Sequence, residues 1–367
     1  MIRIATFNAE NFFKRPNVLS RISESEVSEI LADYGGFAEI INKPSYSAQD
    51  KKGLVRLLKK YGLEKRADQK DAPFILREIR GKLFKVTKAD KKVEIVVEGR
   101  AAWDGWLEYK RDQIESAAIE NTARVISAVH ADILAVVEAE DRWALELFND
   151  NILKRFNVDY PHNMLIDGND LRGIDVGLFS RFPIVGMRSN IDYEDGEGQV
   201  FSRDCAEYQI ELQSGRKILL LINHLKSKGY GDQDGSNKKR LRQARAIKAI
   251  YEARKTEQPA IAIVGDFNDT PDSPYLAPLV EMPELKDAMS HPVYAGGSDP
   301  KPGTYKTGAA SGKIDYILLT PTLWNAVRAV GVERRGIWAP RTFASFPEVT
   351  EATAASDHGA LWVDLDI

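Results

Sequence analysis

The chain has 367 residues, of which 43% are hydrophobic and 29% charged, and its formal net charge is −3. The apolar content is sufficient for a large core, and so small a net charge excludes binding of a polyanion through overall charge. The single cysteine, Cys205, excludes an internal disulfide and a cysteine-rich zinc site. No export signal or membrane-spanning run is apparent, which predicts a cytoplasmic protein without a membrane partner. A secreted protein whose signal had been removed would look the same.

The first predicted element is a buried strand at residues 2–8. Residues 14–110 lack the regular succession of apolar strand-like runs and are rich in Lys, Glu and Asp. We interpret them as an insertion or cap within a single domain that spans residues 1–367, either gating a cleft, selecting substrate or binding a partner. Their predicted elements are helices at Ser23–Tyr34 and Ala48–Tyr61, and a hairpin of Leu83–Val86 with Val93–Val97. A further helix is predicted from about Trp106 to Val129.

Strands dominate the rest of the chain, with two interspersed helices. The predicted strands lie near 133–137, 162–166, 174–180, 184–191, 200–213, 216–223, 260–264, 314–319, 327–333 and 358–366, and the helices near 142–154 and 237–255. Strands in hairpin-like succession with interspersed helices predict an α+β fold, in which two packed sheets are covered by outer helices.

Polar side chains close several of the apolar runs. Asn8, Glu138, His224 and Asp266 each stand where a predicted strand ends. Asp266 and Asn268 are two residues apart, so in an extended chain they share one side. A turn in which these side chains cap backbone groups explains the same pattern equally well. For the acidic run that begins at Glu138, the alternative is a set of solvated acids at the start of a helix.

Asp315 lies within an otherwise apolar strand, where an unpaired carboxylate is costly to bury. His358 stands at the mouth of a later strand and is the natural partner. A histidine oriented by an aspartate is a recurrent general base. The alternative is a structural ion pair between Asp315 and Arg or Lys.

Basic residues follow His224. Lys226 is placed to stabilise a negatively charged transition state, and Arg240 and Arg242 on the next helix are candidates to reach a phosphate backbone. Their alternative is a solvated helix face. We interpret four aromatic residues as packing rather than base-stacking groups, namely Trp103, Trp106, Tyr305 and Trp338.

In this order, the segments resemble the endonuclease/exonuclease/phosphatase superfamily over residues 1–13 and about 120–367. The resemblance rests on seven segments: Thr6–Asn11, Asp132–Glu138, Gly173–Arg181, Asn223-His224, Gly265–Asn268, Ile314–Tyr316 and Ser356–His358. Each segment alone is weak, but the ordered set is specific. One departure is Val137, where the family commonly has glutamine.

The resemblance implies a four-layer α/β/β/α sandwich of two mixed sheets and hydrolysis of phosphoesters with Mg²⁺ or Mn²⁺. By the same resemblance, Asn8, Glu138 and Asp357 hold the metal. The catalytic set is His358 as base, Asp315 orienting it, Asp266 and Asn268 positioning water and phosphoryl oxygens, and His224 donating to the phosphate or leaving oxygen. In some accounts of the family Asp266 is itself the base. Arg172 and Asp175 flank the cleft by analogy, so that the predicted substrate-binding residues are Arg172, Asp175, Lys226 and Arg240.

The sequence therefore predicts a metal-dependent phosphodiesterase that acts on DNA, with no prediction for protein partners. Two alternatives remain: a phosphomonoesterase or lipid- or inositol-phosphate phosphoesterase of the same fold, and a degenerate binding module. Retention of all the acids and histidines above disfavours the binding module, and fold alone does not fix the substrate.

Overall fold

A computed structural model of the chain describes residues 1–10, 12, 14–16, 24–65, 72–87, 91–113, 116–170, 172–228, 233–294 and 301–367. The chain divides into two compact units. The sandwich unit comprises Met1–Lys14, Gln113–Lys228 and Asp232–Ile367, and the small unit is formed mainly by Arg15–Asp112. The interpretation of residues 14–110 as an insertion or cap on one catalytic domain stays a prediction.

The described residues form 20 strands and seven α-helices. The strands are β1 (Ile2–Asn8), β2 (Lys14–Pro16), β3 (Phe74–Arg80), β4 (Phe84–Val86), β5 (Val93–Ile95), β6 (Asp104–Tyr109), β7 (Arg111–Gln113), β8 (Ile133–Ala139), β9 (His162–Leu165), β10 (Asp175–Ser180), β11 (Ile184–Arg188), β12 (Glu194–Asp195), β13 (Gly198–Gln199), β14 (Cys205–Glu211), β15 (Lys217–His224), β16 (Ile261–Asp266), β17 (Lys286–Asp287), β18 (Asp315–Leu319), β19 (Val327–Glu333) and β20 (Ala360–Leu365). The helices are α1 (Glu24–Ile41), α2 (Ala48–Lys60), α3 (Ser116–Val129), α4 (Arg142–Asn151), α5 (Gln233–Arg254), α6 (Ala277–Val280) and α7 (Pro321–Trp324).

Two six-stranded mixed sheets make up the sandwich unit. One has the order β19-β20-β1-β8-β10-β9 and the other the order β11-β14-β15-β16-β18-β17. Only β1 with β8, and β15 with β16, run parallel among these neighbours; the other pairs are antiparallel. Parallel neighbours end together at one edge of a sheet, and antiparallel partners begin there.

The core of the sandwich unit has three apolar layers. Side chains from both sheets, such as Ile4, Ile222 and Leu361, form the central layer between the sheets. The outer face of the first sheet packs against α3 and α4, and that of the second packs against α5. This arrangement confirms the predicted α+β fold of two packed mixed sheets flanked by helices.

The small unit has its own core. Helices α1 and α2 enclose apolar side chains together with the antiparallel pairs β3–β6 and β4–β5. Helix α2 begins at a capping box, in which Ser47 accepts from the backbone N–H of Asp50 and the Asp50 carboxylate accepts from that of Ser47. Phe37, Leu54 and Phe74 are among its fully buried side chains.

Most predicted elements of the sandwich unit are confirmed to within a few residues, as is the β4–β5 hairpin. The helix predicted from Trp106 is wrong in its first part, because residues 104–109 form β6 and the helix begins at Ser116. Trp106 and Leu107 point alternately outward and inward against Arg77 and Leu76 of β3, a partner that the local pattern did not reveal.

Some predicted positions lie outside the described residues, namely Asn11 of the first motif and Ser23 at the start of the first predicted helix. Among the helices of the part of the chain that the structure describes, none has the length and apolar character needed to cross a membrane.

Candidate functional site

Eight strands bring polar residues to one edge of the sandwich unit. The carboxyl ends of β1, β8, β15 and β16 meet there with the amino-terminal ends of β10, β14, β18 and β20. Asn8 links the two sheets, since its Nδ2 donates to Asp266 Oδ2 at 3.2 Å and lies 3.3 Å from Glu138 Oε1. The candidate site therefore lies between the sheets at this edge.

Glu138 is aimed into the site by a β-bulge. The pairing of β8 with β10 shifts register between Asp175 and Val176, which leaves Glu138 unpaired between Val137 and Ala139. Its φ is 63°, a left-handed conformation that is uncommon for glutamate. Bulges next to active sites redirect a side chain in this way, at a cost in backbone strain that the surrounding structure must hold.

The end of β16 requires a glycine. Gly265 has a φ of 127°, and a Cβ at this position would lie 1.9 Å from the carbonyl oxygen of Asn223 on β15. The two strands thus approach closely where they present His224 and Asp266. Asn268 follows in a left-handed conformation, donates its backbone N–H to Asp266 Oδ1 and donates its Nδ2 to the carbonyl of Leu225.

His358 and Asp315 form a buried hydrogen-bonded pair. His358 Nδ1 lies 2.9 Å from Asp315 Oδ2, and Thr304 Oγ1 donates to the same oxygen at 2.5 Å. Ser356 accepts from the His358 N–H and donates to the carbonyl of Asn8, which ties the loop to β1. The other ring nitrogen, Nε2, lies 3.9 Å from Asp266 Oδ2 and 3.7 Å from Asp357 Oδ1.

The two histidines of the site are tuned in opposite directions. Burial lowers the pKa of His358, but the carboxylates of Asp315, Asp266 and Asp357 outweigh it and hold that pKa well above its ordinary value. Burial, followed by the positive charges of Arg203 and Arg172, holds the pKa of His224 well below its ordinary value. His224 is therefore a neutral imidazole, with Nε2 3.8 Å from both Glu138 Oε1 and Asp266 Oδ2.

The carboxylates fit a divalent cation. Burial and the nearby carboxylates of Asp315 and Glu138 raise the pKa of Asp266 to about 7. This crowding is the electrostatic setting in which a bound cation is favourable, and oxygen donors are the ligands that Mg²⁺ prefers. Asp266, Asp315 and His358 also offer three donor atoms within 4.8 Å of one another, which could hold a metal ion.

Asn8 is oriented to hold carboxylates rather than to coordinate a cation. Its Oδ1 accepts from the backbone N–H of Glu10 at 3.1 Å, and its Nδ2 faces Glu138 and Asp266. Coordination through the side-chain oxygen requires the amide to turn over. Amide orientation is assigned from hydrogen bonding, and here the backbone of Glu10 decides it.

A positively charged cluster adjoins the carboxylates. Asp170 accepts two hydrogen bonds from Arg172, at 2.8 and 2.6 Å, and lies 3.2 Å from Nε of Arg203, whose side chain is only 2% exposed. Burial raises the pKa of Asp170, but Arg203 and Arg172 outweigh it and hold that pKa below its ordinary range. Burial and these same two arginines lower the pKa of Lys226 to about 8.

Two residues predicted to bind substrate are buried instead. Asp175 is 4% exposed, and its Oδ1 accepts from the backbone N–H of Gly168 at 2.9 Å, so it holds the loop before β10. Arg240 is 0% exposed and donates to Asp269 Oδ2, to the carbonyl of Lys226 and to Asn237 Oδ1. The position of Arg240 corrects its predicted contact with a phosphate backbone, because its guanidinium is fully enclosed and its donors are used within the protein. A contact between Asp175 and substrate stays a prediction.

Arg240 instead ties together the two loops that follow His224 and Asp266. We expect Arg240→Ala to lower the free energy of unfolding by about 3 kcal/mol, because the buried Asp269 carboxylate loses its guanidinium partner. Urea unfolding followed by circular dichroism measures this change. Arg245→Ala, an exposed position on the same helix, is the control and should change stability by less than about 0.5 kcal/mol. A loss of unfolding free energy no larger than that of Arg245→Ala would contradict this role of Arg240 in linking the two loops.

Sequence reasoning missed four residues of the site: Asp170, Arg203, Thr304 and Tyr305. Arg203 falls just before β14, within a stretch predicted to be continuous strand, so its loop position was hidden. Tyr305 packs its ring 4.9 Å from that of His358, and burial and the nearby Asp357 carboxylate raise the pKa of its hydroxyl, whereas it was interpreted as a packing residue only. No local pattern marks Thr304, whose role depends on the separate strand that carries Asp315.

Comparison with known proteins gives one family match. The model of the Endonuclease/Exonuclease/phosphatase family matches residues 113–358. No curated protein matches the chain.

Several solved structures are similar in fold. Truncated TDP2 of Caenorhabditis elegans is 19% identical, with 68% of this chain and 90% of that chain covered and a TM-score of 0.47. The mannosyl-6-phosphatase of Bacteroides thetaiotaomicron is 18% identical, with 68% and 92% covered and a TM-score of 0.47. The human Nocturnin catalytic domain with bound sulfate anion is 16% identical, with 69% and 87% covered and a TM-score of 0.46.

Proposed function

The chain belongs to the endonuclease/exonuclease/phosphatase family of hydrolases, and we propose that it is a divalent-metal-dependent phosphodiesterase that acts on DNA. The observation that carries this proposal is the pairing of His358 with Asp315, which leaves Nε2 of His358 facing the carboxylates of Asp266 and Asp357. A buried imidazole oriented on one nitrogen and open to the site on the other is suited to take a proton from water when it is neutral, and a divalent cation beside it would lower the pKa that the carboxylates raise. The cytoplasmic location stays a prediction.

Glu138 and Asp357 would hold the cation, with Asn8 orienting Glu138 or, if its amide turned over, binding the cation itself. A divalent cation, when bound, supplies positive charge that polarises phosphoryl oxygens and lowers the pKa values of neighbouring acids and imidazoles. Glu138 is supported as a ligand by its bulged, strained backbone. Asp357 is supported by its position, since its Oδ1 lies 3.7 Å from Nε2 of His358.

We assign the activation of water to His358 and Asp266 together. Their facing atoms, Nε2 and Oδ2, are 3.9 Å apart, close enough for one water molecule to hydrogen-bond to both. Asp315 keeps Nε2 directed at the site by holding Nδ1. Asn268 fixes Asp266 Oδ1 through its backbone N–H, so the other oxygen, Oδ2, is the one that faces the water.

Phosphate binding is assigned to the cations beside the carboxylates. Lys226 and Arg172 border the site, and the buried Arg203 contributes a positive charge to it. Because the pKa of His224 is low, its neutral imidazole acts as a hydrogen-bond donor to a phosphoryl oxygen, not as an imidazolium cation. Donors fixed in a poorly hydrated site stabilise the charge that develops as the phosphoester bond breaks.

The test is cleavage of supercoiled plasmid, linear duplex and single-stranded DNA with Mg²⁺ or Mn²⁺, each repeated with EDTA. We expect cleavage that depends on metal and is lost in His358→Ala. His162→Ala is the matched control, since His162 pairs with Ser180 at the opposite end of β10 from Asp175. Absence of DNA cleavage by the folded, metal-loaded protein would overturn the proposed substrate. Hydrolysis of phosphomonoesters under the same conditions would then identify the alternative activity.

A further inference from the structure

Beside Asp357 the surface of the sandwich unit opens into a cavity of about 650 Å³. This volume is within the range of sites that hold small molecules. Ser356 and Asp357, which directly precede His358, form part of its lining, so the cavity adjoins the proposed catalytic centre. Another part of the lining is the segment Ile337–Thr342, here called the 337–342 segment.

The 337–342 segment is held in place by hydrogen bonds at both ends. The Ile337 N–H donates to the carbonyl of Arg334, and Ser345 Oγ donates to the carbonyl of Ile337 at 2.6 Å. A turn follows, in which the N–H of Thr342 donates to the carbonyl of Ala339. The side chains that the segment presents are therefore mounted on an ordered backbone.

Trp338 is the aromatic residue that this segment presents to the cavity. Trp338 is 41% exposed, whereas Ile337 before it is buried. No ring stacking or cation–π contact involves Trp338 within the described part of the chain. Trp338 was interpreted as a packing residue, and the exposed part of its surface remains free for a ligand.

Two cations line the same cavity. Arg341 is exposed and makes no hydrogen bond or ion pair with the residues that the structure describes. Lys306 places its Nζ 4.8 Å from the ring centre of Tyr305, and its backbone N–H donates to the carbonyl of Asp357. A ligand that meets these groups therefore needs a planar unsaturated face and a negative charge.

The lining also includes the carboxylates of Glu10, Glu351 and Asp357. Asp357 is one of the proposed metal ligands, and Glu10 follows Asn8 by two residues. A free anion gains little among three acids and two cations. A nucleotide is better matched, since its base provides stacking energy that does not depend on net charge and its phosphate pairs with arginine.

We propose that this cavity is a subsite for the nucleotide next to the scissile phosphodiester, in which Trp338 stacks on an unpaired base and Arg341 binds the adjacent phosphate. The proposal rests on the proposed function, because it takes the neighbouring centre to be the site of DNA hydrolysis. A base inside a duplex has both faces covered by its neighbours. The subsite therefore favours single strands and frayed ends over the interior of a duplex.

Binding without turnover is the first test, by fluorescence anisotropy of a labelled single-stranded oligonucleotide in EDTA. We expect Trp338→Ala to weaken binding about tenfold. The same substitution should leave binding unchanged for an abasic oligonucleotide of equal length, which lacks the bases that stack. Trp143→Ala is the matched control, since Trp143 is 64% exposed at the start of α4.

Salt dependence tests Arg341. Loss of one phosphate contact should reduce the slope of log affinity against log salt by about 0.7 for a single strand. Arg341→Ala should therefore weaken binding of the normal and the abasic oligonucleotide alike and flatten this slope. Arg188→Ala, on the exposed strand β11, should alter neither quantity.

The outcomes separate the subsite from the hydrolytic activity. Binding that depends on Trp338 and Arg341 without any metal-dependent cleavage would sustain the subsite and overturn the proposed function. Cleavage of DNA with an affinity unchanged in Trp338→Ala would overturn the subsite and leave the function intact. Failure of the wild-type protein to bind the oligonucleotide would also overturn the subsite.

Discussion

We expect replacement of His358 by alanine to lower kcat for the proposed phosphodiester hydrolysis by about a hundred- to ten-thousandfold, the range typical of a lost general base. The loss should fall mainly on kcat because Nε2 of His358 faces the proposed place of water activation. The fold survives, since Asp315 keeps its hydrogen bond from Thr304 and Ser356 still ties the loop to Asn8. Steady-state kinetics together with circular dichroism measure both quantities.

Asp315→Asn separates orientation from proton transfer. This variant keeps a side chain of the same shape but removes the charge that holds Nδ1 of His358. We expect a smaller loss of kcat than in His358→Ala, and no further loss when the two substitutions are combined, because both act on one proton-transfer unit. Additive losses would mean that Asp315 acts independently of the histidine. A His358→Ala variant that kept more than a tenth of wild-type kcat would overturn the assigned role.

We expect replacement of Glu138 by glutamine to abolish binding of Mg²⁺ or Mn²⁺, which isothermal titration calorimetry measures directly. At a metal concentration 100 times Kd, the wild-type protein gains about 2.7 kcal/mol of stability, and the variant gains none. Thermal unfolding with and without metal gives this comparison. Glu146→Gln on α4 is the control, because Glu146 lies on a helix outside the site.

Without metal, Glu138→Gln should change the stability of the protein in the opposite direction. The Glu138 carboxylate contributes to the raised pKa of Asp266, so its neutralisation relieves repulsion between two nearby acids. We expect Glu138→Gln to be more stable than the wild-type protein in EDTA and less stable in saturating metal. Equal responses of variant and wild-type protein to metal would show that the cation binds elsewhere, for example at Asp266, Asp315 and His358.

Much of the site was predictable because its residues stand at strand ends. Asn8, His224 and Asp266 each terminate an apolar run, and parallel strands bring such ends together. The pairing of Asp315 with His358 followed from the cost of burying a lone carboxylate. Arg203 was not predictable in this way, because its partner Asp170 belongs to a separate loop and only the folded chain joins them.

The burial of Arg240 was predictable from its spacing along α5, although we interpreted this residue as a phosphate contact. It stands in line with Gln243, Ala244 and Ile247 on the buried stripe of α5, at helical spacing. A charged residue in such a stripe is expected to be paired inside the protein. The strand that contains Trp106 was not predictable in this way. It forms by pairing with β3, and its local pattern also suits a helix.

The position of β1 between β8 and β20 has a consequence for the order in which the site assembles as the chain folds. Ile2 pairs with Leu365 and Ile4 with Ile133, so β1 has two neighbours that are both distant from it in the sequence. Pairings so distant in sequence form slowly, because long loops must close first. Asp357 and His358 lie just before β20 and reach the site only when this strand pairs with β1. A chain in which β20 is unpaired therefore lacks the proposed base, so closure of this sheet is a condition for the proposed activity.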